Sequence, residues 1–177
     1  MKRILSSVIA LAALAMPLAA QDSKPTANPV SSVVKQQLER RSKIMLAAAD
    51  LMPADKYSFK PTPEQMTFGH LILHTAIANG KVCSAITGAT EPKIDVKDTD
   101  PKEKLIQAFK DSFDFCSAQL ANVDDSKLGE EVSLFGNKAS RARALIELPI
   151  DWADHYSAQA MYLRLNGILP PTAQAKK

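Results

Sequence analysis

Four long stretches of helical periodicity, each closed or opened by proline, constrain this chain more than any other feature. Val30, Val33, Val34, Gln37, Leu38, Arg41, Met45, Ala48 and Met52 recur at helical spacing, with Ile44 beside them. Met52-Pro53 stops that run, which predicts a first helix over 30–52. Thr62 as N-cap, Pro63 at the first helical position and Gln65 closing a capping box predict a second helix. It continues to Ile86 and ends near Gly88, with Phe68, Leu71, Thr75, Ala78, Val82 and Ala85 facing inward. Asp100-Pro101-Lys102-Glu103 repeats that start signal. Leu105, Phe109, Phe113, Cys116 and Leu120 give the third helix its apolar face. The fourth is predicted over 139–166, with Gly167 as C-cap and Pro170-Pro171 preventing continuation. Pro149 inside it predicts a kink just before Asp151.

Only six glycines in 177 residues favour helices over a sheet. The expected architecture is an all-α four-helix bundle over 30–171, one domain with a sizeable core. The connection 122–138 is long enough to make a crossover, and Glu131–Phe135 within it is expected to be extended and to lie across the bundle.

The first 20 residues read as a cleavable signal peptide: Lys2 and Arg3, an apolar run from Ile4 to Met16 too short for a bilayer, then Ala19-Ala20. A polar leader (21–29) follows, and a polar tail (172–177) ends the chain. The expected address is periplasmic or secreted, with no stable membrane span after cleavage. The formal charge of +3 includes Lys2 and Arg3; beyond them stand 20 basic and 19 acidic residues. That balance, with no basic stripe, excludes an electrostatic nucleic-acid partner. In an exported protein Cys83 and Cys116 form either a disulfide or two buried thiols.

Three side chains carry ligand chemistry. Asp151 and His155 are spaced i, i+4, so both project from one helix face. His155 lies mid-stripe with Leu148, Trp152, Gln159 and Tyr162. His74 falls at the edge of the second helix's inner stripe, and His70 lies further round on its flank. Two histidines and a carboxylate suit zinc, nickel, iron or manganese with positions left open. The alternative for each histidine is a core residue bonded to a tyrosine or a backbone carbonyl. For Asp151 it is satisfaction of groups freed by Pro149, or a pair with Arg41. Asp154 sits about 100° from His155 and is a poorer donor. Trp152, Tyr156 and Tyr162 could line a pocket or build the core. Arg141 and Arg143 could meet an anion or face water. No Ser-His-Asp constellation, phosphate loop or nucleotide fingerprint is visible.

The strings YSFKPTPEQMTFGHLILHTAIAN and, much later, DHYSAQAMYLRLNGILPP resemble the DinB-like superfamily. The resemblance runs from about Lys35 to Pro171 and includes the Asn-Gly-x-x-Pro-Pro exit of the last helix. It implies a four-helix bundle with a crossover, often a homodimer. It also implies a divalent metal held by one histidine of the second helix and a His-x-x-x-His on the last. His74 matches the first and His155 the last, while Asp151 stands in place of the middle histidine. The implied site is therefore His74, Asp151 and His155, with His70 as an extra donor. The implied activity is metal-dependent hydrolysis or thiol-dependent transfer on a small molecule. The alternative is a non-catalytic bundle that has lost the metal and binds a small molecule or a protein.

Overall fold

The computed structural model describes residues 27–174, so the expected signal peptide and most of the leader lie outside the described residues. Four helices form the body: α1 (Pro29–Leu51), α2 (Phe68–Thr87), α3 (Lys102–Leu120) and α4 (Arg141–Leu165). Two short strands, β1 (Glu131–Leu134) and β2 (Asn137–Ser140), make an antiparallel hairpin before α4. The fold is thus mostly helical rather than all-α. Among the described residues no helix is long and apolar enough to cross a membrane.

Contacts at the helix ends fix the directions. The start of α1 meets the end of α3, where Asp125 accepts from the Val30 and Ser31 amides at 2.8 Å each. The end of α1 meets the start of α3, where Lys102 Nζ donates to the Asp50 carbonyl. The end of α4 meets the entry to α2, where the Tyr162 hydroxyl donates to the Met66 carbonyl at 2.7 Å. Arg141, at the start of α4, donates to the Ile86 carbonyl at the end of α2. The ends of α2 and α3 meet where the Thr87 hydroxyl donates to Gln119, so α1 and α4 run one way and α2 and α3 the other.

Two parallel neighbours need a crossover, and it is the α2–α3 connection rather than the expected stretch 122–138. It leaves Gly88, passes Gly80 at Pro92 and reaches Gly69 at the Asp98 carbonyl, running back along α2. A Cβ on Gly69 would lie 2.7 Å from that carbonyl, and one on Gly80 3.0 Å from Pro92 Cγ. Glycines on the same face of α2, about three turns apart, let the strap lie flat. The α3–α4 connection stays at its own end of the bundle, because β1 turns back onto β2 through Phe135-Gly136 instead of spanning the helices.

Helix α2 also starts later than its proline signal. Thr62–Gln65 is a separate turn, with the Gln65 amide donating to the Thr62 carbonyl at 3.2 Å. Thr67 is the N-cap instead, its hydroxyl accepting from the His70 amide. The Phe68 and Gly69 amides go to the Phe59 and Tyr57 carbonyls, which satisfies helix-start donors and buries Phe68 against Tyr57. A core aromatic with two long-range backbone bonds outweighs a local capping box. At α3, Asp100 spends its carboxylate on the Lys97 amide and Lys104, and no side chain caps the helix.

The core is apolar and closed around Trp152, Phe109, Phe68, Met45 and Leu148. One polar network crosses it. Trp152 Nε1 donates to Asn79 Oδ1 at 2.7 Å, Asn79 Nδ2 to Ser112 Oγ at 3.0 Å, and Ser112 to the Phe109 carbonyl. Beside it a disulfide joins Cys83 of α2 to Cys116 of α3, Cα to Cα 5.4 Å. The apolar stripe of α3 is buried as its spacing predicted. Helix α4 continues through Pro149 without interruption. The C-terminal segment packs back on the bundle, with Thr172 bonded to the Tyr156 hydroxyl, so Thr172 is not part of a free tail.

Candidate functional site

The antiparallel seam between α2 and α4 brings together His74, Asp151 and His155. The His74 and His155 rings face each other with centroids 5.0 Å apart and planes 26° apart. His155 and Asp151 are mostly covered, their side chains 12% and 21% exposed. His155 Nδ1 lies 2.8 Å from the Asp151 main-chain carbonyl and 3.3 Å from its carboxylate. A carbonyl only accepts, so Nδ1 carries the proton, and Nε2 has no hydrogen-bond partner among the described residues.

His74 has no hydrogen-bond partner among the described residues. Burial holds its pKa below the usual imidazole range, and the neighbouring His155 lowers it further, against the raising effect of Asp151. His74 is therefore a neutral base. Burial pushes Asp151 the other way, above the usual carboxylate range, with His155 and His74 opposing that rise.

His70 stacks on the far side of His74, centroids 6.5 Å apart, and its Nδ1 pairs with Asp98 of the crossover at 3.0 Å. All three histidines of the chain thus stand in one row, with a carboxylate at each end. Asp98 was illegible in the sequence, because only the path of the crossover brings it to His70. One turn beyond His155, Gln159 is wholly buried and neither end of its amide has a partner. A polar residue in the middle of an apolar stripe was its signal.

The donor chemistry fits a divalent transition metal at two imidazoles. A ligating histidine characteristically gives its other N–H to a carbonyl or carboxylate, as His155 does. The third donor is different. The Asp151 carboxylate approaches the Nδ1 side of His155, and among the described residues no three His, Cys, Asp or Glu side chains are arranged to hold one ion. His70 stands in the row but is turned to Asp98. Asp151 makes no ion pair with Arg41.

The remaining candidates serve the fold. Arg141 closes the end of α2 and pairs with Glu130, and Arg143 pairs with Glu147. Trp152 and Tyr162 are core residues, and Tyr156 fastens the C-terminal segment.

Comparison with known proteins agrees with this architecture. The profile of the DinB superfamily matches residues 37–148, which include His74 and end just before Asp151. A DinB-like protein from Bacillus subtilis superposes with a TM-score of 0.66 at 18% identity, over 81% of this chain and 99% of its own. One from Bacillus cereus gives 0.65 at 17% identity, over 79% and 95%. No curated protein matches the sequence. With well over half its length matched and its fold shared, the chain belongs to the DinB superfamily.

Proposed function

We propose that this protein is an exported metal-dependent hydrolase or transferase whose site is the His74–His155 pair. The observation that carries the reading is the pair itself: a half-buried and a mostly covered imidazole 5.0 Å apart, the first neutral and the second held at Nδ1. The metal would be zinc, nickel, iron or manganese, each compatible with nitrogen donors. Bound there, it would supply Lewis acidity for attack on a small-molecule substrate. The protein's residues do the rest. Asp151 fixes the His155 tautomer through its carbonyl and carboxylate, and burial keeps His74 unprotonated at neutral pH. With two protein donors, open positions remain for water and substrate.

The Cys83–Cys116 disulfide supports export, since such bridges persist in oxidising compartments. Ile146, Ile150, Met161 and Leu165 are exposed along the outer face of α4, and they support association with a second copy.

Calorimetric titration with zinc and nickel tests the reading. His74→Ala and His155→Ala should each abolish binding. Asp151→Ala should weaken it about 10–100-fold, as expected for a group orienting a ligand. Asp151→His distinguishes the roles of Asp151: tighter zinc binding places residue 151 among the ligands, and unchanged or weaker binding keeps it as the group that holds His155. A second reading, a bundle that binds a small molecule without metal, is favoured by the turn of Asp151 toward His155. Wild-type protein that takes up neither ion would select it.

A further inference from the structure

We propose that the groove between β1 and the C-terminal half of α2 binds an uncharged, extended peptide by strand addition. It lies some three turns of α2 from His74, about 16 Å away, so it stands or falls apart from the metal reading.

The hairpin fixes what this groove offers. Leu134 pairs with Asn137 across a two-residue turn, and Val132 with Ala139. In such a hairpin the residues flanking the turn exchange hydrogen bonds and the pairs then alternate. The main-chain groups of Leu134 and Val132 therefore face β2, and those of Glu131 and Ser133 face away. Those outward amides and carbonyls have no partner among the described residues. They form the edge of a groove of about 830 Å³ whose other wall is Lys81, Ser84 and Ala85 of α2. The Ser84 hydroxyl on that wall is buried and also without a partner.

An alternating row of free N–H and C=O groups recognises another main chain. A two-stranded hairpin is marginal by itself, and a third strand completes it. The edge lies beside the C-terminal half of α2, which hinders two copies from laying their β1 strands together. Four residues of strand give about 13 Å of pairing. The local charges cancel: Arg141 pairs with Glu130 and Lys138 with Glu131, which leaves Lys81 against Glu91. The groove therefore suits a peptide with uncharged side chains. Phe135 stands at its rim, 58% exposed and at φ +50°, and offers an aromatic face to the incoming strand.

The test is amide NMR of the mature protein with a capped six-residue peptide of alternating threonine and valine. The Glu131 and Ser133 amides should shift saturably and exchange more slowly with solvent. Ser133→Ala should bind equally. Ser133→Pro removes a donor that β2 does not use, so the spectrum away from the edge should persist while affinity falls about tenfold or more. No shift at about 1 mM peptide, or undiminished binding by Ser133→Pro, would overturn the proposal. So would edge amides already protected in the mature protein and freed when the residues before Ala27 are removed, because the groove would then hold the chain's own leader.

Discussion

Helix α2 has two polar seams, and they are built on opposite rules. In one, Asn79 has both ends of its amide bonded: it takes the Trp152 N–H from α4, gives an N–H to Ser112 of α3, and lies one turn from the Cys83–Cys116 bridge. In the other, His74 has no partner, His155 has one free nitrogen, and Gln159 has nothing on either end of its amide. Burying an unpaired polar group costs about 1–3 kcal/mol. One seam has its amide partnered at both ends and the other leaves Gln159 without a partner, and the proposed site lies on the second.

Substitutions at each seam sharpen this contrast. The largest effect should come from the bridge. Replacing Cys83 and Cys116 together with alanine opens a loop closed over 33 residues and should cost roughly 3–4 kcal/mol, measured as the shift of the urea midpoint. Asn79→Ala should cost about 2–3 kcal/mol in the same assay, because the Trp152 N–H is orphaned in the core. Gln159→Leu should act with the opposite sign and raise stability by about 1 kcal/mol, since it removes an amide with no partner. Destabilisation by that change would mean the two seams follow one rule.

The smallest effect is in the pH dependence, and its sign separates the two titrating groups of the second seam. His74 has a folded pKa below its unfolded value, so its neutral form favours the fold. That contribution is whole above about pH 6.5 and is lost as pH falls from there through the folded pKa. Asp151 has a folded pKa above its unfolded value. Its burial penalty is present above that folded pKa and is relieved as pH falls through it toward about 3.9. His74→Gln should flatten the loss of stability below about pH 6.5. Asp151→Asn should raise stability at neutral pH and leave the His74 limb in place. Melting temperatures across pH for the two variants check both signs.

The helices were legible because their stripes are long and periodic, and Leu105 to Leu120 of α3 needed nothing beyond spacing. Local signals misled where tertiary partners competed. Thr62-Pro63 reads as a helix start, yet Phe68 is worth more in the core beside Tyr57. The crossover was sought in the longest connection, whereas Gly69 and Gly80 mark its true path, and a glycine inside a helix does not say what passes over it. The proximity of the three residues was legible: His74, Asp151 and His155 share one seam. The orientation of Asp151 was not, because i, i+4 spacing brings two side chains to one face without saying whether they converge on a third point or on each other. The hairpin turn Phe135-Gly136 lacks the usual Asn-Gly signature, so β2 had no local signal.

Elemental analysis of the mature protein, purified without chelator or affinity tag, decides whether the His74–His155 pair holds a metal. Close to one equivalent of a divalent transition metal per chain is expected, lost in the His74→Ala and His155→Ala variants while the bundle stays folded. Wild-type protein that holds no metal after incubation with zinc, nickel, iron and manganese, or variants that keep it, would contradict the assignment of the His74–His155 pair.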